Sequence, residues 1–144
     1  MTGKSADRST REIADKAGRS GLHYAVVDRN VEQVKELIRQ GMSVNLADRD
    51  GWTPLHCAAQ NDDEQMARLL LDSGASVDPR DANGNTPLFR AVFNSRGRGE
   101  LIGLLRQRGA DANSTNKFGV SPVGLARTIA NYDVARFFND LSEE

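Results

Sequence analysis

Asp50-Gly51-Trp52-Thr53-Pro54-Leu55-His56-Cys57-Ala58-Ala59 sets the plan of the chain, because weaker copies of it recur on both sides at regular distance. Aligned on Thr53-Pro54-Leu55, the other copies are Ser20-Gly21-Leu22, Thr86-Pro87-Leu88 and Ser121-Pro122-Val123, at steps of 33, 33 and 35 residues. A second marker keeps the same phase: Gly41-Met42-Ser43-Val44-Asn45, Gly74-Ala75-Ser76-Val77-Asp78 and Gly109-Ala110-Asp111-Ala112-Asn113. Two markers in phase define a repeat, and a period of about 20 to 50 residues is the mark of a stacked array.

Each copy reads as turn, cap and helix. Pro54, Pro87 and Pro122 suit the first helical position, where the backbone N–H has no partner inside the helix and the fixed φ is already helical. Thr53, Thr86 and Ser121 stand just before them and can accept from the free N–H groups of the first turn, worth about 1 kcal/mol each. Gly51, Gly84 and Gly119 lie two residues earlier, where a tight turn needs positive φ. Behind each motif the apolar residues fall at helical spacing, as in Leu22, Ala25 and Val26 followed by Val31, Val34, Leu37 and Ile38. The second repeat continues from Leu55, Ala58 and Ala59 to Met66, Leu69 and Leu70, with Gly74 past the helix end.

In this motif and period the chain resembles the ankyrin-repeat family, whose unit of 33 residues carries a T-P-L-H-x-A signature. The resemblance covers residues 15–141. It implies an all-α solenoid of four stacked helix-turn-helix repeats, at about 15–47, 48–80, 81–115 and 116–141. Eight helices in four antiparallel pairs are expected, joined by hairpin-like turns. Residues 1–14 form an N-terminal extension, partly flexible, in which Ser9-Thr10-Arg11-Glu12 has the spacing of a capping box ahead of a short helical turn. Residues 142–144 are a solvated tail. The third repeat is two residues longer, and the extra length falls in Ser95-Arg96-Gly97-Arg98-Gly99. Insertions in an array map to loops, often on a binding face. The fourth repeat carries Arg127 where the motif prefers alanine, as expected of a terminal unit.

Composition narrows the function. The 144 residues are 27% charged and 38% hydrophobic, ordinary for one folded domain. No stretch reaches the roughly 20 apolar residues of a membrane span. The positive charges of Lys4, Arg8 and Arg11 have no apolar run behind them, so no secretory signal is expected. A single cysteine fits a reducing, cytoplasmic setting, and a net charge of −1 argues against a general nucleic-acid binder.

Residues suited to catalysis are sparse. His23 and His56 share one motif position, and the resemblance implies that each imidazole ties its own repeat to the next. Phe89 and Gly124 replace them in the last two repeats. Cys57 has no second cysteine or local base beside it and reads as a buried, inert thiol. Asp62, Asp63 and Glu64 suit either a divalent metal or the positive end of a helix dipole, and the second reading needs no further ligand. With no phosphate-binding loop and no HExxH, the chain is expected to be no enzyme and to need no metal or cofactor.

What remains is surface. The resemblance implies that turn tips and first helices line a concave face that grips another protein. Matched to those positions, the partner-binding candidates are Arg49, Asp50, Trp52, Gln60, Asn61, Asn83, Asn85, Phe93, Arg96, Arg98, Lys117 and Phe118. Trp52 is either an exposed anchor, of the kind enriched at binding hot spots, or a ring lying over a neighbouring tip. Charge is uneven: residues 48–80 hold seven acids and three bases, whereas residues 81–115 hold three acids and five bases. The function expected is a non-catalytic protein-binding module, monomeric and away from membranes. Its concrete form is a small inhibitor or an immunity protein neutralising a toxin enzyme. The alternatives are a general adaptor or scaffold, a metal-using enzyme built on Asp62, Asp63 and Glu64, or a nucleic-acid binder using Arg96 and Arg98.

Overall fold

The computed structural model describes residues 15–141. The Ser9 to Glu12 capping box and the C-terminal tail lie outside the described residues. The helices are α1 (Gly21–Val27), α2 (Val31–Arg39), α3 (Pro54–Gln60), α4 (Glu64–Asp72), α5 (Pro87–Asn94), α6 (Glu100–Gln107) and α7 (Pro122–Thr128), followed by a 3-10 turn at Ala135–Phe138. First helices stack in the order α1, α3, α5, α7, and α4 stacks on α6. No strand forms among the described residues.

Helices this short are unstable alone, because nucleation is costly and few hydrogen bonds follow it. Two devices hold them. Ser20, Thr53, Thr86 and Ser121 each accept from the backbone N–H three residues on, as sequence suggests. Asn30 and Asp63 cap α2 and α4 in the same manner, whereas α6 starts at Gly99 without a side-chain cap. Stacking supplies the rest: Leu22, Leu55, Leu70, Leu88 and Leu105 are fully buried with Val34, Met66 and Val92 in one continuous core.

The turn tips are coupled across the repeats. Arg49 N–H donates to the Ala17 carbonyl at 2.9 Å, Ala82 N–H to Asp50 at 2.8 Å, and Lys117 N–H to Asn83 at 2.9 Å. This close approach explains Gly51, which has φ +80° and where a Cβ would come within 2.8 Å of the Asp81 Cα.

One expected element differs. The eighth helix is reduced to the 3-10 turn Ala135–Phe138. In the first three repeats left-handed residues turn the chain back after the first helix, Arg29 and Asp62 singly and Arg96 with Gly97 in the third. In the fourth the chain leaves α7 through extended Ile129, so the antiparallel return is lost. The insertion in the third repeat serves this irregular end. Tyr132 lies against Gly97, Phe137 against Gly99, and Arg136 donates to the Gly97 carbonyl at 3.2 Å.

Candidate functional site

The side formed by tips and first helices carries a groove of about 540 Å³ running across the first three repeats. Four residues at one repeat position build its tips: Asp15, Asp48, Asp81 and Asn116. Each turns one oxygen, Oδ1, onto two backbone N–H groups of its own turn, two and four residues ahead, at 2.8 to 3.0 Å. That oxygen does for the turn what a cap does for a helix.

The second heteroatom differs from tip to tip. The Tyr24 hydroxyl donates to Asp15 Oδ2, which holds the Asp15 carboxyl below its usual range. Asp48 Oδ2 faces Arg19 Nε at 3.9 Å. Asn116 Nδ2 donates to Asn85 Oδ1 at 2.8 Å. Asp81 Oδ2 is buried without a hydrogen-bond partner among the described residues.

Behind the tips the two histidines join repeats. His56 Nδ1 accepts the Thr53 backbone N–H at 3.1 Å, so Nε2 carries the proton and donates to the Asn85 carbonyl at 2.9 Å. Burial lowers the His56 pKa from its ordinary value, which favours the neutral imidazole that these two bonds require. His23 repeats the pattern, accepting from Ser20 N–H at 3.0 Å and donating to the Trp52 carbonyl at 2.8 Å. Phe89 and Gly124 offer no such link. At the third junction Asn116 crosses instead, its Nδ2 donating to Asn85 Oδ1 at 2.8 Å, while Arg80 adds to the second junction by reaching Ser114 Oγ at 2.8 Å and the Thr115 carbonyl at 2.7 Å.

Apart from Trp52, the candidate residues fall into three groups. Arg49, Asp50, Gln60, Asn83, Arg96, Lys117 and the aromatic rings of Phe93 and Phe118 are exposed, the two rings at 60% and 74%. Asn61 and Arg98 are tied down. Asn61 Nδ2 donates to the Val27 carbonyl at 3.0 Å, and Arg98 pairs with Asp62 at 2.6 Å. Asn85 is turned inward and buried, because its carbonyl and amide oxygen serve His56 and Asn116.

Trp52 is not the free tip aromatic that an exposed anchor requires. It is partly buried against the core. Arg90 of the next repeat lies over the ring, 5.1 Å from its centroid, a cation–π contact. The reason is the neighbouring repeat, which no property of the motif itself reports. Sequence reasoning also passed over Tyr24, which is 45% exposed beside Val27 at 49%. The three-residue spacing of these two in α1 was the available signal.

Cys57 is buried, and burial pushes its thiol up to about 12, far from a thiolate nucleophile. The acidic cluster is spoken for. Asp62 pairs with Arg98, Asp63 caps α4 and faces Arg29 at 3.6 Å, and Glu64 pairs with Arg68. No three His, Cys, Asp or Glu groups among the described residues converge as a metal-ligand set.

A family model of ankyrin repeats, three copies, matches residues 22–116. The chain belongs to the ankyrin-repeat family. The fourth repeat lies largely beyond the match and is defined by α7 stacking on α5. A comparison with curated proteins finds no match. Ankyrin repeats are protein–protein interaction modules, a family typically without catalysis. No helix among the described residues is long and apolar enough to cross a membrane.

Proposed function

We propose that this chain is a non-catalytic inhibitor that holds one partner protein against the tips and first helices of its repeats. In its most specific form it is an immunity protein that occludes a toxin enzyme in the cytoplasm. The observation that carries this reading is the groove across the first three repeats, lined by exposed Tyr24 and Val27, on a chain whose first helices and tips also expose Phe93 and Phe118. Interfaces favour that mixture of aromatic side chains and a polar surround. A groove on one face suits occluding a single partner better than bridging two.

The test is affinity capture with the full chain, followed by activity measurement on the captured partner. Because Trp52 also supports the fold, exposed rings make the cleaner probes. Tyr24→Ala with Phe93→Ala should weaken capture about thirtyfold or more, the typical loss at about 2 kcal/mol for a hot-spot residue. Arg68→Ala on the exposed side of α4 should leave capture intact, and an equimolar amount of the chain should silence the partner's activity. Capture that survives the double substitution and fails with Arg68→Ala puts the interface on the opposite side. A captured enzyme that keeps its full activity removes the inhibitor reading.

A further inference from the structure

We propose that the groove takes a cationic side chain of the partner, a lysine or arginine, whose charge sits on the free oxygen of Asp81. This rests on the proposal above that the partner lies along the tips and first helices.

The argument begins with the four tip anchors. All four spend Oδ1 on their own turn, and three give the remaining heteroatom an ordered neighbour, Tyr24, Arg19 or Asn85. Asp81 alone keeps a buried oxygen unpartnered, although the residue is only 7% exposed and lines the groove. A buried carboxylate oxygen without a donor is costly and calls for a partner, which a ligand in the groove can supply.

The surroundings decide what the ligand is. Asp48 and Asp50 also line the groove, so three carboxylates face the same space. Two cations stand near them. Arg19 lies at 3.9 Å from Asp48, and Arg90 holds its guanidinium over the Trp52 ring. Neither forms an ion pair with Asp81, whose free oxygen has no donor. An acidic side chain would be repelled here and an apolar one would leave the oxygen orphaned. A neutral donor would satisfy the oxygen without balancing the charge. A lysine or arginine does both, and its methylene stem matches the apolar wall of Tyr24, Val27 and Trp52.

The fold supplies its own control. Asn116 occupies the same repeat position as Asp81 and holds its turn through the same Oδ1 bonds. Asp81→Asn therefore removes the charge while keeping the turn.

A displayed random dodecapeptide library selected on the full chain, with affinities by fluorescence polarisation, tests the proposal. Peptides that depend on Tyr24 should share a lysine or arginine at one position. Replacing that residue by norleucine should weaken binding about tenfold or more, as expected for a desolvated charge pair. Asp81→Asn should weaken the parent peptide to a similar extent with an unchanged thermal midpoint, and should abolish the difference between parent and norleucine peptides. Peptides that need Tyr24 but show no basic position, or that bind Asp81→Asn at full strength, overturn the inference while leaving the groove as a binding site. Peptides indifferent to Tyr24→Ala bind elsewhere, and that result overturns the inference together with the concave-face reading beneath it.

Discussion

Replacing His56 by leucine isolates the link between the second and third repeats, because leucine keeps an apolar volume while removing both ring nitrogens. Two hydrogen bonds disappear, from Thr53 N–H at 3.1 Å and to the Asn85 carbonyl at 2.9 Å. Each is worth about 0.5 to 1.5 kcal/mol net, and the buried Asn85 carbonyl left without a donor adds about 1 to 3 kcal/mol. The total loss is about 2 to 6 kcal/mol, a large share of the roughly 5 to 15 kcal/mol that holds a domain together. Urea unfolding followed by helical circular dichroism at about pH 8 measures it. The pH dependence gives an independent check. Burial sets the folded pKa of His56 below its ordinary value of 6.5, so the unfolded chain binds the proton more readily. His56 therefore contributes nothing unfavourable above about pH 6.5 and costs stability progressively as pH falls from there towards the lowered folded pKa. The wild-type chain should lose stability on going from about pH 8 to about pH 5 by more than His56→Leu does. Groups that do not interact with His56 cancel in that difference. A loss below about 0.5 kcal/mol at high pH, or identical slopes in the two proteins, would refute the role given to the imidazole.

Leu70 is fully buried where α4 meets its neighbours, and Leu70→Ala should cost about 2 to 5 kcal/mol by the same unfolding measurement. A near-neutral result would contradict the stacking register. Two glycines of the third repeat should respond with opposite sign. A Cβ at Gly99 collides with the Phe137 ring, so Gly99→Ala should destabilise by about 1 to 3 kcal/mol, whereas Gly103 sits inside α6 with nothing within 4 Å and Gly103→Ala should stabilise by about 1 kcal/mol.

The repeat plan was legible because each signal in it is local. Proline at the first helical position, a hydroxyl before it and a glycine two residues earlier act within a few residues, and the structure places all of them as read. The apolar spacings located the buried faces for the same reason. What escaped depends on neighbours a whole repeat away. Trp52 looks exposed on its own turn and is covered by Arg90, 38 positions on. Asn85 looks like a tip residue and is claimed by His56 and Asn116. Arg98 sits in a loop that reads as a binding insertion, yet it reaches back to Asp62. The left-handed turn missing after α7 was equally hidden, since Ala130 and Asn131 carry no composition that excludes it. The free oxygen of Asp81 could not be read either, because the sequence shows four equivalent polar residues and only the contacts separate them.

The distribution of links along the stack bears on where a partner is held. The two histidine bridges lie at the first and second junctions, and each ties the first helix of one repeat to the tip of the next. The groove spans those same two junctions. Its floor is therefore fixed before any partner arrives, and a preformed site loses less entropy on binding than one that must order its loops. The third junction is held differently, by Asn116 donating to the Asn85 side chain and by Arg106 pairing with Asp140 and donating to the Phe137 carbonyl. A long, partly exposed arginine constrains geometry less than a buried imidazole does, since surface ion pairs are worth at most about 1 kcal/mol. The irregular fourth repeat and the lengthened loop that receives it can then depart from the pattern without disturbing the face that carries Tyr24, Asp81 and the groove between them.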